Sequence, residues 1–329
     1  QNNQLDNGTN PQMTFFTAHG GRGNEGTVQI DGMNVGAAFN GGGVSEFGYP
    51  TQSADEVQVT VVGGLGETDR GGPAFNIVPK TGGNNFSGQG FFNWAGDWSY
   101  GNNIDARQQA FIPDVPKLHK NWDSSFSLGG PIAKDRLWLY GSLRTFGSYT
   151  DVAGMYGNAN AGDPNKWTYE PDLSRQAFKD QTWQNASARI TWQISPRNKV
   201  NVFWDEQKVC QKCENGGLAA NATTSPEANT YADLGPMRFQ QATYSSPVSS
   251  KFLFEGGFGY FFSRWGGRAK ESPNTNDFVR LVEQCTAGCP VNGNIAGLNY
   301  RSQTLNVFSD SRNKNITYTW RAAGAYVTG

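Results

Sequence analysis

Four cysteines fall in two close pairs, Cys210/Cys213 and Cys285/Cys289. A C-x-x-C spacing suits half of a zinc site or a redox motif, whereas an even count in close pairs suits disulfides. The chain holds only two histidines, His19 and His119, and neither neighbours a cysteine. Both pairs sit in long polar connections, with Asn215-Gly216-Gly217 after the first and Pro290 after the second. The reading taken forward is local disulfides, 210–213 and 285–289, formed in an oxidising compartment and holding no metal. Cross-loop bridges and a four-sulfur zinc site are the competing arrangements. The glycine clusters Gly20-Gly21-Arg22-Gly23 and Gly63-Gly64-Leu65-Gly66 lack the spacing of a phosphate cradle, so they read as turns needing positive φ. No Ser–His–Asp set or paired carboxylates can be assembled around a shared pocket. The expectation is a protein without catalysis and without a cofactor.

The elements that carry these residues follow from composition. Among 329 residues, 27 Lys and Arg face 28 Asp and Glu, a net charge of −1 that provides no field for nucleic acid. Charged residues are 17% and aromatics 13%, with 42 glycines. That mixture disfavours helical bundles and disorder and suits strands joined by turn-rich loops. No apolar run is long enough for a membrane helix, and Gln1 opens a polar stretch without a leader pattern. The mean hydropathy of −0.59 is compatible with a soluble protein. It is equally compatible with a membrane β-barrel, where lipid-facing and lumen-facing residues alternate.

Two textures divide the chain. Up to about residue 83, short strands (Thr27–Met33, Glu56–Val62, Ala74–Lys80) are broken by glycines. Beyond that point, longer segments alternate with period two. Ala188, Ile190, Trp192 and Ile194 oppose Arg189, Thr191 and Gln193, and Val200, Val202 and Trp204 oppose Asn201, Phe203 and Asp205. Phe252, Phe254, Phe258, Tyr260 and Phe262 share a face with Glu255 behind them, and Ile316, Tyr318, Trp320, Ala322 and Tyr326 repeat the device. With Phe86–Trp94, Trp122–Gly130, Arg136–Phe146 and Met237–Ser245 the strands number eight. Tight turns near 133–135, 195–198 and 246–250 alternate with long connections near 97–121, 148–182, 208–236 and 266–313. That alternation belongs to outer-membrane barrels, with short periplasmic turns and long extracellular loops. Trp94, Trp122, Trp138, Trp192, Trp204, Trp265 and Trp320 mostly lie near strand ends, as in an interfacial girdle.

Several segments then resemble one family. His19-Gly-Gly-Arg-Gly23, Val28-Gln-Ile-Asp-Gly-Met33 and Asp55-Glu-Val-Gln-Val59 look like successive landmarks of the plug of TonB-dependent outer-membrane receptors. Residues 71–88, from Gly71-Gly-Pro-Ala-Phe to Asn85-Phe-Ser-Gly88, resemble the end of the plug and its crossing into the first barrel strand. Ser127-Leu-Gly-Gly-Pro-Ile-Ala-Lys-Asp135 resembles the first periplasmic hairpin, and the combination is most similar to Oar-like receptors. The implied fold class is all-β: a transmembrane antiparallel β-barrel with a small α+β plug, the chain being an internal portion of a larger receptor. The implied domains are residues 1–83, the C-terminal part of the plug, and 84–329, the first eight or so barrel strands.

The resemblance implies energised uptake of a cargo in the outer membrane of a Gram-negative bacterium. Its partners would be outer-membrane lipid, a TonB-type periplasmic energy-transducing protein and the cargo, with no nucleic acid. A non-transporting outer-membrane or surface-assembly barrel and an extracellular carbohydrate-binding β-domain are the alternatives. By the same resemblance, Arg22, Phe39, Asn40, Phe47 and Tyr49 would contact cargo at the plug apices. Arg22, Glu56 and Arg70 would be charges buried between plug and barrel, with Glu255 as an inward carboxylate. The Phe row around Phe254 should face lipid, because an ionised carboxylate is disfavoured there.

Overall fold

A run such as Ala188–Ile194 sets its small and apolar side chains on one side and its polar ones on the other, and the chain folds accordingly into strands with two unlike faces. In a computed structural model, residues 26–36, 51–61, 72–99, 101, 104–109, 117–213, 224–229, 231–265, 267–268, 281–282, 298–301 and 313–327 are described.

The N-terminal part forms a small mixed sheet. Its strands are β1 (Thr27–Ile30), β2 (Met33–Asn34), β3 (Ala54–Thr60) and β4 (Ala74–Pro79), in the order β2-β1-β4-β3. β1 runs parallel to β4, and the other pairings are antiparallel. Asp31 and Gly32, both at positive φ, make the two-residue turn between β1 and β2. Asp-Gly favours this type I′ geometry, whose twist matches that of the strands it joins. The Gly32 amide donates to Asn76 Oδ1 at 2.8 Å, which fixes the turn against β4.

The large sheet is an antiparallel meander of β5 (Ser87–Gly96), β6 (Leu118–Ala133), β7 (Leu137–Asn158), β8 (Pro171–Ser195), β9 (Asn198–Cys213), β10 (Tyr231–Pro247), β11 (Phe252–Trp265) and β15 (Asn313–Tyr326). Each pairs with its neighbour in that order, so the eight strands read from the sequence are all present. β12 (Gly267–Arg268) pairs with β10 beside the path, and β13 (Leu281–Val282) pairs with β14 (Asn299–Arg301). The sheet does not close: β5 and β15 each have one neighbour along the path. The one α-helix among the described residues, α1 (Ala106–Gln109), is a single turn. The turns at 134–136, 196–197 and 248–251 are short, as the sequence implies.

One expectation is corrected. Much of the stretch 148–182 read as a loop is strand, because β7 and β8 stay paired out to Asn158 and Pro171. The ends of β6, β9 and β10 likewise reach into segments read as connections. Alternation of polar and apolar residues marks a strand only where its two faces meet different surroundings. Beyond the apolar zone both faces are wet or covered by other loops, and the pattern fades.

Candidate functional site

Register places the odd-numbered residues of β8 from 183 to 193, of β9 from 199 to 209, of β10 from 237 to 245 and of β11 on one face. The small sheet docks on that face. Val28, Ile30, Met33, Val35 and Ile77 join Phe203, Phe239 and Phe261 of the meander in one buried cluster. Room for this contact comes from glycine on β11: a Cβ on Gly257 would lie 2.5 Å from Met33 Cε, and one on Gly259 3.5 Å from Met33 Cβ. A side chain at Gly257 would displace the end of Met33, while Gly259 lies in ordinary van der Waals contact with it.

The turn of the β1–β2 hairpin carries the electrostatic contact. Asp31 Oδ2 meets Arg189 Nη1 at 2.9 Å, with side-chain exposures of 16% and 7%. The same guanidinium donates to the Pro79 carbonyl at 3.1 Å, so Arg189 grips both β4 and the hairpin. Burial pushes the Asp31 carboxyl above its usual range, and Arg189 opposes the shift. On the other side of the turn, a Cβ on Gly32 would lie 2.6 Å from Arg321 Nη1 of β15.

Further towards the loops the same face is polar and buried. Asn185 Nδ2 and Gln207 Nε2 donate to the two oxygens of Asp205 at 2.7 and 3.0 Å, and Trp183 Nε1 donates to Gln207 Oε1 at 3.0 Å. Trp183 packs with Val209, Met237 and Phe146. Arg144 makes a forked pair with Asp123 at 2.9 and 2.7 Å, and Ser142 and Ser187 share a hydrogen bond at 2.7 Å. Nothing in this network has a nucleophile activated by a base. It is a hydrogen-bonding wall.

The opposite face is apolar and exposed. It presents Phe126, Leu128, Leu139, Leu143, Ile190, Trp192, Val202, Phe254, Phe258, Ile316, Tyr318 and Trp320. On β8 the band runs from Ala186 to Ile194, about 27 Å along the strand at ~3.4 Å per residue, near the height of a tilted strand's lipid-facing zone. The Phe254–Phe258 row lies on this face and Glu255 on the other, in the register read from the sequence.

At the loop end the β7–β8 hairpin carries a second apolar cluster, Met155, Ala177, Leu298 and Tyr300, flanked by Val152, Tyr169 and Leu281. Asn158 and Arg175 tie it together. The Asn158 amide donates to Glu227 Oε2 at 3.0 Å, and Arg175 pairs with Glu227 at 2.9 Å and Asp172 at 2.7 Å. Hydrogen bonds from Ser174 and Arg175 hold the Asp172 carboxyl down at about 2.

The structure places the remaining sequence readings as follows. Arg22, Phe39, Asn40, Phe47, Tyr49 and Arg70 lie outside the described residues, as do Cys285, Cys289 and the side chains of Cys210 and Cys213. The reading of 285–289 as a bridge therefore falls outside the described residues, whereas the local bridge 210–213 is corrected: both positions lie in extended β9, about 10 Å apart along the strand, beyond the roughly 7 Å between Cα atoms that a disulfide spans. Glu56 is exposed on β3 and accepts from Gln58 at 3.3 Å. Glu255 faces Arg321 of the adjacent strand at 3.9 Å, within the large sheet. The contact between the sheets is instead Asp31–Arg189, which sequence reasoning missed. The signals for it were an arginine on the polar face of an otherwise well-patterned strand and an Asp-Gly turn. Trp138 also leaves the proposed girdle: it lies on the inner face, and its indole donates to Asn84 Oδ1 at 2.8 Å. Asn84 Oδ1 accepts from the Asp135 amide too, tying the segment before β5 to the β6–β7 turn.

No protein-family model and no curated protein matches this chain. Solved structures similar to it include the outer membrane transporter YddB from Escherichia coli, at 13% identity over 87% of this chain and 37% of that one, with a TM-score of 0.49. A mutant of the ferric enterobactin receptor PfeA from Pseudomonas aeruginosa is 11% identical over 73% of this chain and 33% of that one, with a TM-score of 0.43. BauA, the ferric preacinetobactin receptor from Acinetobacter baumannii, is 11% identical over 78% and 43%, with a TM-score of 0.34. The chain thus spans a third to two-fifths of the length of these structures.

Proposed function

We propose that this chain is the plug and first barrel strands of a TonB-dependent receptor in the outer membrane of a Gram-negative bacterium, and that the whole receptor takes up a bound cargo. The observation that carries the reading is the two-faced meander. Its polar face holds a small mixed sheet through Asp31–Arg189, and its other face offers an apolar band of roughly bilayer height. An apolar face of that extent is disfavoured in water and favoured in lipid. Residues 1–83 act as the plug and 84–329 as the wall. A TonB-type partner supplies the pull that shifts the plug, and the chain itself carries out no catalysis. Arg22, Phe39, Asn40, Phe47 and Tyr49 are assigned to cargo contact, and Arg22 and Arg70 to plug–wall ion pairs.

The test uses the full-length receptor carrying Met33→Cys and Gly259→Cys. The 3.5 Å Cβ separation suits a disulfide, which would fasten the plug to the wall. Uptake should stop when the bridge forms and return on reduction. Uptake that persists with the bridge formed would refute plug movement. Full-length protein recovered outside the outer membrane would refute the receptor reading itself.

A further inference from the structure

The short-turn end of the large sheet is cationic. Its three hairpin turns, 134–136, 196–197 and 248–251, carry Lys134, Arg136, Arg197 and Lys251, all exposed, against one carboxylate, Asp135. Four cations and one carboxylate leave the turns at +3. The carboxylate is engaged within the chain, where Asp135 Oδ1 accepts from Asn84 Nδ2 at 2.5 Å. None of the four cations has an ion-pair partner among the described residues. The turns are also fixed relative to one another. The Gln193 amide donates to the Arg136 carbonyl at 2.8 Å, which joins the first turn to the second. Gln193 Nε2 donates to the Ser195 carbonyl at 2.6 Å, and the Tyr244 hydroxyl donates to Asn198 Oδ1, which joins the second to the strand leading into the third. Neighbouring turns lie two strands apart, about 10 Å.

The outer face beside these cations is apolar. Ile132, Ile194 and Val248 are exposed next to the turns. Further along the strands, Trp192, Val200 and Tyr244 are register partners across β8, β9 and β10, and Phe252 is paired with Tyr326. The cations thus border an apolar and aromatic row within about 14 Å. A water-soluble acidic partner would meet the charges alone, whereas a lipid meets both, with acyl chains on the row and phosphates at the rim. Clusters of four or more Lys and Arg beside a membrane-spanning zone hold anionic headgroups in this way. We propose that the turn-side rim binds the phosphate groups of an anionic phospholipid, its chains lying along the Trp192–Tyr244 row. Lys134 and Arg136 flank one phosphate position with Arg197, and Lys251 flanks a second with Arg197. The inference rests on the outer-membrane reading, which makes this leaflet the periplasmic one.

The test takes the full-length receptor in a neutral detergent and measures retention of cardiolipin by native mass spectrometry. Phosphatidylethanolamine, inorganic phosphate and polyglutamate are the competitors. Wild type should keep cardiolipin in preference to phosphatidylethanolamine. The variant Lys134→Gln/Arg197→Gln/Lys251→Gln should bind it roughly a hundredfold more weakly, with an unchanged heat-modifiable barrel band. If the triple variant fails to fold, Lys251→Gln alone should weaken retention roughly fivefold. Arg107→Gln, which removes an exposed cation at the loop end, should leave it unchanged. Equal retention by folded wild type and triple variant overturns the lipid site while leaving the receptor reading intact. An equal loss in Lys251→Gln and Arg107→Gln shows an effect of net charge and overturns the site too. Displacement by inorganic phosphate or polyglutamate at the lipid's own concentration shows a general anion surface and overturns it as well. A full-length protein without a heat-modifiable barrel overturns both readings.

Discussion

Arg189→Met tests whether one buried ion pair holds the small sheet on the wall. The substitution keeps most of the aliphatic stem and leaves the Asp31 carboxylate, 16% exposed, without its cation. Stranding one partner of a buried pair costs about 3–5 kcal/mol. Part of that is returned, because Arg189 Nε is buried without a hydrogen-bond partner, a defect of about 1–3 kcal/mol that the variant removes. The expected net loss is about 2–3 kcal/mol in docking of the small sheet. Hydrogen exchange on the full-length receptor reads it directly. The Val28 and Ile30 amides should exchange roughly thirty- to a hundredfold faster, while those of β8 and β9 change little.

The pH dependence separates charge from packing. Burial holds the Asp31 carboxyl above its ordinary value with Arg189 opposing, so the docked state binds more protons than the undocked one. Docking stability from this group is therefore full below the undocked pKa and falls as pH rises through the docked one. Removing Arg189 raises the docked pKa further, so the variant's penalty should be large at neutral pH and vanish towards about pH 4. Asp31→Asn in the Arg189→Met background should restore most of the protection. A penalty that is the same at neutral pH and near pH 4, or no penalty at all, would refute the reasoning.

Two exposed leucines separate lipid from water: Leu143→Arg, in the band, should cost about 2–4 kcal/mol of barrel stability by denaturant titration in bilayers, whereas Leu173→Arg, at 73% exposure in the hairpin extension, should cost under about 0.5. Gly82→Ala should destabilise by about 1–3 kcal/mol, because its Cβ would meet the backbone carbonyls of Leu139 and Gly130. Gly83→Ala next to it, facing open space, is the control and should be close to neutral in the same titration. Acidification should loosen the β7–β8 hairpin. The depressed Asp172 pKa gives stability that is present above 3.8 and lost as pH falls towards about 2, so exchange at residues 172–176 should rise across that window and not above it.

Alternation along the chain by itself determined the meander. Ala188–Ile194 and Phe252–Phe262 sort as their residue types imply, with the apolar side chains on the exposed face and the polar ones on the face that carries the small sheet. Short turns were legible for a similar reason: Lys134-Asp135-Arg136 places Asp135 at positive φ, which Asp tolerates better than most residues. Tertiary structure alone decided the rest. Arg189 and Asp31 are 158 positions apart, and each by itself is an ordinary strand or turn residue; only docking makes them partners. Trp138 looked like its girdle neighbours until the chain crossing at Asn84 gave its indole an acceptor on the inner face. The lengths of β7 and β8 were hidden because the hairpin rises past the apolar band, where it is covered by Leu298 and Tyr300 from a distant segment. Sequence period records a difference between the two sides of a strand, and where that difference ends, contacts between distant segments take over.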